Sequence, residues 1–414
     1  MRRIALDSYD YFILVRAVAF AKLKAVRNIS DVFGEELLLA AESDFIREPL
    51  KTTPDELAQV SEQVAGYFGL SAEKAAVLAE LPSLGQWAGY LLEQVGPRPD
   101  RIAFSTSGST GEPKTVVRDF FFLEQDAVHL ADLFPGVNRF LALAPPHHIY
   151  GFIHAVLIPK LLNVPCEDRR FVNLSALINE LRPGDAILGF PHVWRLCVET
   201  GELFPPGVLG VTSTGPCPPE IIRSLKSLGL ETMLEIYGSS ENGAIGYRTG
   251  LNDPLTLLPT WKRVGEDRLV RDLEQGGSSA PFLVQDMLDW VDHTHFFVKK
   301  RLDHAVQVAG INVYPARVRD ALLTHEAVAD CAVRLMRPEE GHRLKAFVVL
   351  QASREADPGI RDALRVHLAR LLSHVEQPAS IIFGPELPKN ELGKAADWNI
   401  HPGPVPALEQ ATRR

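Results

Sequence analysis

Cysteine is scarce in this sequence. Its four residues, Cys166, Cys197, Cys217 and Cys331, stand far apart and form no C-x-x-C pair. That excludes a disulfide-built scaffold and a cysteine-rich zinc site, and leaves reduced core residues of a cytoplasmic protein as the reading. Long apolar runs are missing too, since no stretch reaches the roughly 18 residues of a membrane span. The apolar stretch from Tyr11 to Ala21 follows Arg2 and Arg3 and has the outline of a signal peptide. However, Asp7 and Asp10 precede it, Arg16 interrupts it and no small-residue cleavage pattern follows, so an amphipathic opening helix is expected. Positive charge is in deficit, with 43 Lys and Arg against 52 Asp and Glu and a net charge of −9. A duplex nucleic-acid surface is therefore not expected. What is present is 46% hydrophobic residues across 414 positions, enough for a large core and for two or more units of about 100–200 residues each.

Apolar spacing is helical from about Pro54 to Gln94, through Leu57, Val60, Val64, Phe68 and Leu70 and the Ala-rich run from Ala72 to Leu81. From Ile102 the pattern changes to short apolar runs at 139–144, 186–190, 208–211 and 232–236, separated by helix-like stretches such as Glu220 to Leu228. This alternation predicts an α/β fold: a large multi-layer N-terminal domain with largely parallel sheets, whose strand-end loops hold ligands. Residues 296–308 read as two short strands joined by a charged turn. Beyond them come a helix at Pro315–Leu323 with Pro in its first turn, strands at 331–335, 344–350 and 380–383, and an amphipathic helix at 360–372. These make a smaller C-terminal α+β domain, so the predicted domains are 1–302 and 303–414. The proline-rich tail after Trp398 is expected to be poorly ordered.

Ser105 to Thr115 concentrates hydroxyls, two glycines and a lysine directly after a strand-like run. Gly108 and Gly111 permit close backbone approach, Thr106, Ser107, Ser109 and Thr110 add hydroxyls, and Lys114 adds charge; together they can wrap a polyphosphate. A Walker A loop is excluded because Pro113 rather than glycine precedes Lys114. A plain Ser/Gly surface turn is the simpler alternative. The segment Glu235 to Glu241 supplies a tyrosine, a glycine turn, hydroxyls and a carboxylate at the end of another apolar strand. Tyr237 can stack on a flat base, Gly238 allows the turn, and Glu241 can hold Mg²⁺ through oxygen. Further along come Asp286, Arg301-Leu-Asp303, the Gly310 to Pro315 segment and Leu387-Pro-Lys-Asn-Glu-Leu-Gly-Lys394, each weak alone.

In this order, the motifs resemble those of the adenylate-forming superfamily: acyl- and aryl-CoA synthetases, nonribosomal-peptide adenylation domains and luciferases. The resemblance spans about residues 100–397, and the short N-terminal part is similar to that of short aryl-CoA ligases and aryl-polyene-type pigment ligases. It implies an ATP- and Mg²⁺-dependent ligase that adenylates a carboxylic acid, releases pyrophosphate and passes the acyl group to a thiol. By position, it assigns the loop Thr106–Lys114 to the β- and γ-phosphates. It places Tyr237 on adenine beside Ser213, Thr214 and Gly215, Ser240 by the α-phosphate and Glu241 on Mg²⁺. Asp286 and Arg301 become ribose partners, Asp303 the hinge of a mobile domain, and Lys394 the catalytic lysine. Thr115, Gln285 and Arg317 depart from the usual residues, and none removes a group that the chemistry requires. His148, His192, Trp194 and Asn242 suggest a compact pocket for an aromatic, hydroxybenzoate-like acid, although Trp194 fits a core position equally. The thiol acceptor is CoA or the phosphopantetheine of an acyl carrier protein; Arg317, Arg319, Arg334, Arg337 and Arg343 could receive an acidic partner or the CoA phosphates, or form a solvated mixed-charge face. A nucleotide-binding regulator without chemistry and a γ-phosphotransferase are the rival classes.

Overall fold

The computed structural model describes residues 3–27, 45, 50–106, 114–273, 275–301, 305–308, 311–337, 339–351, 359–388 and 396–400. The described residues fall into two compact units, one up to residue 301 and one from residue 305.

The larger unit opens with the helix Ser8–Arg27, whose buried Tyr11, Leu14, Val15 and Val18 follow the 3.6-residue period. Its first turn is capped by Asp7, whose Oδ1 accepts the amides of Tyr9 and Asp10 at 2.9 and 3.1 Å. The helical spacing after Pro54 resolves into three helices, Pro54–Tyr67, Ala72–Glu80 and Leu84–Val95. The first starts on a capping box between Thr53 and Glu56 and stops where Gly69 turns to positive φ.

Two strands, β1 (Arg101–Thr106) and β2 (Lys114–Asp119), form an antiparallel hairpin around the glycine-rich loop, with Thr106 opposite Lys114. The main sheet uses β3 (Arg139–Ala142), β4 (Cys166–Asp168), β5 (Asp185–Gly189), β6 (Leu209–Thr212), β7 (Thr232–Ser239), β8 (Gly243–Arg248) and β9 (Leu255–Leu257). A small sheet, β10 (Trp261–Arg263), β11 (Arg268–Arg271) and β12 (Phe282–Leu283), leads to β13 (Asp286–Trp290) and β14 (His295–Arg301). Among the described residues the main sheet runs β13-β14-β9-β8-β7-β6-β5-β3-β4. The expected parallel strands are β4, β3, β5, β6 and β7, while the β8 side is antiparallel.

Alternation along these strands builds two cores. Phe140, Ala142, Ala186 and Leu188 join one face, and Leu141, Leu143 and Ile187 the other. Because β4 and β5 flank β3, the chain leaving β3 does so where the strand order reverses, the position at which open α/β sheets hold ligands.

The smaller unit contains a hairpin, β15 (Val306–Val308) with β16 (Ile311–Val313), and a three-stranded sheet of β17 (Val328–Leu335), β18 (Leu344–Leu350) and β19 (Ser380–Phe383). The helices Pro315–Leu323 and Ile360–Leu371 cover it through Val318, Leu322, Leu364 and Leu368. The two strands expected within 296–308 thus have separate partners: β14 pairs with β13 and β9, and β15 with β16. Among the described residues no helix is long and apolar enough to cross a membrane.

Candidate active site

Tyr237, Gly238, Ser240 and Glu241 of the expected nucleotide residues lie at or just past the end of β7, with Ser213 past the end of the adjacent β6 and Asp286 on β13. The Tyr237 hydroxyl donates to Asp286 Oδ2 at 2.7 Å, and Asp286 stands opposite Arg301 in the β13–β14 register. The Tyr237 ring packs edge-on against Phe296, with ring centroids 5.7 Å apart. Ser213, just past β6, donates its hydroxyl to the Ile236 carbonyl at 2.9 Å, which ties the β6 end to the β7 end. Thr214 follows with φ +73, so the Ser213–Gly215 turn is bent sharply at a non-glycine residue.

After Tyr237 a bulge at Gly238 starts the turn into β8. A side chain at Gly238 would strike the backbone of Gly243, so only glycine allows the two strands to approach there. Asn242 is buried and closes the turn: its amide donates to Ser239 Oγ at 3.1 Å and its Nδ2 to the Leu283 carbonyl at 3.3 Å. Its side chain therefore organises the turn. Glu241 is exposed at the tip, with Ser240 half-buried beside it.

A buried ionic cluster under this turn was not legible as a motif. Arg118 on β2 donates through Nη1 to the Glu241 carbonyl and through Nη2 to the Asn242 carbonyl, the latter at 2.8 Å. Asp126, in the helix Phe120–Ala131, accepts the Ala244 amide at 3.1 Å and Arg271 Nη2 at 2.7 Å. Arg271 and Asp126 have no exposed surface. Burial lowers the Arg118 guanidinium to about 10, against the pull of Asp126.

The pocket residues expected for the acid differ in exposure. His148 is exposed on the segment after β3, with its ring centroid 4.4 Å from that of His147. Nδ1 of His147 is buried without a hydrogen-bond partner, and burial holds this imidazole well below the ordinary histidine range. Tyr150, two residues on, anchors the segment by donating to the Val211 carbonyl at 3.3 Å. His192 is exposed in the first turn of the helix Pro191–Thr200. Trp194, the next member of that group, is core: it has no exposed surface, and its indole lies where side chains at Gly189 and Gly210 would otherwise sit. The core alternative holds for Trp194 because two glycines open the sheet face to it.

Lys114 is exposed at the start of β2. Ser107, Gly108, Ser109, Thr110, Gly111, Asp303 and Lys394 lie outside the described residues, as do the side chains of Thr106 and Arg301. In the smaller unit, three of the arginines expected to meet an acidic partner or CoA phosphates have partners within that unit. Arg317 pairs with Glu376 at 2.8 Å, Arg337 with Glu340 at 2.6 Å, and Arg343 donates to the Gln377 carbonyl at 3.1 Å.

Residues 22–271 match the AMP-binding enzyme family and residues 318–394 the AMP-binding enzyme C-terminal domain. A 4-coumarate–CoA ligase of Cereibacter sphaeroides is 35% identical over 81% of this chain and 80% of its own length. One of Rhodobacter capsulatus is 36% identical over 77% and 82%. The solved o-succinylbenzoate CoA synthetase of Bacillus subtilis shares the fold, with a TM-score of 0.57 at 20% identity over 71% of this chain and 67% of that one. The chain belongs to the AMP-binding enzymes, among the AMP-forming acyl- and aryl-CoA ligases.

Proposed function

We propose that this ligase activates an aromatic carboxylic acid, of the hydroxybenzoate or hydroxycinnamate kind, and delivers it to CoA. The observation that carries the nucleotide half is the Tyr237–Asp286 bond beside the Glu241 turn, because it sets a flat ring, a carboxylate and an exposed oxygen donor at one strand end. Tyr237 stacks on adenine, Asp286 and Arg301 take the ribose hydroxyls, and Ser240 lies by the α-phosphate. The loop from Thr106 to Lys114 holds the β- and γ-phosphates. Glu241 suits Mg²⁺, being an exposed oxygen ligand on a backbone fixed from beneath, and the ion when bound neutralises phosphate charge.

The acid needs no general base, since a carboxylate with a pKa of about 4 is ionised at neutral pH. Its oxygen attacks the α-phosphorus, the bond to the β-phosphate bridging oxygen breaks, and pyrophosphate leaves. Lys394 contributes charge at the α-phosphate in this step, and catalysis is mainly positioning and charge neutralisation. A thiol then attacks the acyl carbonyl, forms the thioester and expels AMP, after a swing of the domain that begins near Asp303. His148 and His147, whose Nδ1 has no hydrogen-bond partner, lie on the segment leaving β3 at the strand-order reversal and are the pocket groups suited to a phenolic hydroxyl. The names of the two curated relatives support an aromatic acid. CoA is favoured over a carrier protein because the two curated relatives are named as CoA ligases. Free thiols at all four cysteines suit a reducing, cytoplasmic setting.

The test is acid-dependent ATP–pyrophosphate exchange across aromatic and aliphatic acids, followed by mass spectrometry of products formed with CoA or with holo-carrier protein. Exchange confined to aromatic acids and an acyl-CoA product are expected. Equal exchange with long-chain fatty acids would remove the aromatic assignment, ADP as product the reaction class, and an acylated carrier protein alone the CoA assignment.

A further inference from the structure

We infer that Arg118 is a positioning residue: it locks the Glu241 turn to β2, so that the Glu241 carboxylate keeps one position. The inference rests on the role proposed above for Glu241.

Arg118 stands four residues after Lys114 in β2, so in an extended strand the two are about 13 Å apart along one rigid element. Its guanidinium reaches the β7–β8 turn, where one fork meets two consecutive carbonyls, those of Glu241 and Asn242. The rings of Phe122 and Phe282 flank its Cζ at 5.8 and 5.6 Å, fixing the plane of the fork. On the other side of the turn Asp126 takes the Ala244 amide. The Glu241 carbonyl, the Asn242 carbonyl and the Ala244 amide are thereby held by buried groups, while the Glu241 carboxylate is left exposed.

The choice of residue argues for positioning. A buried guanidinium costs several kcal/mol of desolvation, and the cluster buries two of them, Arg118 and Arg271, around Asp126. Burying apolar side chains would fill the same volume at lower cost, but would leave both carbonyls unsatisfied and the turn free to move. Lysine, a single point donor, does not reproduce a planar fork across two carbonyls. Catalysis by positioning is sensitive to displacements of an ångström or less, so a turn pinned at three backbone groups is where such a residue has leverage.

The test compares Arg118→Met and Arg118→Lys in the full chain, with Leu225→Ala, in the core on the other side of the sheet, as a control for lost stability alone. Three quantities are read: amide exchange of the 236–246 backbone, ATP binding with and without Mg²⁺ by calorimetry, and the Mg²⁺ concentration giving half-maximal activity. In Arg118→Met, exchange protection of the turn should fall and half-saturating Mg²⁺ should rise about tenfold. Metal-free ATP binding should change less than about threefold, with kcat down about 10–100-fold. Arg118→Lys should lie between, and it keeps the inference testable if the Met variant does not fold. Unchanged Mg²⁺ dependence and turn protection in a folded Arg118 variant would overturn the inference, as would an equal Mg²⁺ shift in Leu225→Ala. A wild-type chain with no acid-dependent exchange refutes the proposed function instead, and turn protection with Mg²⁺-dependent ATP binding still decides the role of Arg118.

Discussion

The Tyr237 hydroxyl and the Asp286 carboxylate are joined at 2.7 Å across two strands of the main sheet, 49 residues apart in sequence. Asp286 is almost fully buried, and this bond satisfies one of its carboxylate oxygens. Tyr237→Phe keeps the ring and removes the donor. It should cost about 1–3 kcal/mol of stability and, if Asp286 serves the ribose, raise KM for ATP about tenfold. KM for the acid should stay within about twofold, because the lost bond touches the nucleotide side alone. Steady-state kinetics with each substrate varied in turn checks this, and an equal rise in both KM values would contradict it.

Two lysines of the C-terminal unit should respond differently to removal. Lys345 has no exposed surface and donates to Glu340 at 2.7 Å and to the Trp398 carbonyl at 2.6 Å, with the Trp398 ring 5.2 Å away. Lys345→Met leaves the Glu340 carboxylate short of a buried cation and should destabilise this unit by about 3–5 kcal/mol. Lys394→Ala should leave the melting profile within about 1 °C and lower acid-dependent ATP–pyrophosphate exchange about 10²–10³-fold, the scale of one transition-state donor. Calorimetry and exchange measured on both variants separate anchor from catalyst. Undiminished exchange in Lys394→Ala would remove its catalytic assignment.

The order of the motifs carried the family, because each motif is a short local run whose residue types are fixed by phosphate and base chemistry. The alternation of Phe140, Leu141 and Ala142 likewise carried the two faces of the sheet, since strand period is local. Pairing was not local. Residues 296–308 read correctly as two strands, yet nothing in that stretch says that β14 joins β9 and β13 while β15 joins β16. Trp194 was ambiguous because its environment depends on Gly189 and Gly210, which reach it only after folding. The Arg118–Asp126–Arg271 cluster was invisible for a further reason: charged residues are normally solvated, and the partners Asp126 and Arg271 lie 145 positions apart.

Acid should weaken the larger unit through His154. Its ring is buried, Nδ1 donates to the Tyr150 carbonyl at 2.9 Å in the neutral tautomer this bond requires, and Nε2 has no partner. Burial lowers this histidine to about 4, whereas an unfolded histidine titrates near 6.5. Between those values the unfolded chain binds more protons than the native one, so stability is full above about 6.5 and falls as the pH drops toward 4. The slope from this residue is at most about 1.4 kcal/mol per pH unit. His154→Gln retains an amide donor and cannot titrate. Urea midpoints from pH 4.5 to 7.5 should therefore fall less steeply for the variant, and identical slopes would show that His154 does not contribute.

Two glycine substitutions should act with opposite signs. Gly243 begins β8 with φ +83, a conformation unfavourable to alanine, and an added Cβ would collide with the Asp126 carboxylate that holds the neighbouring Ala244 amide. Gly243→Ala must either displace Asp126 from Arg271 or shift the Glu241 turn, at a cost of about 2–4 kcal/mol. Gly89 lies in the helix Leu84–Val95 with open space where its Cβ would stand. Gly89→Ala removes unfolded-state freedom without a clash and should stabilise by about 0.5–1 kcal/mol. Denaturant unfolding of both variants measures the pair. A neutral Gly243→Ala would mean that the turn tolerates displacement of Asp126, and the rigid support assigned to Glu241 would lose its basis.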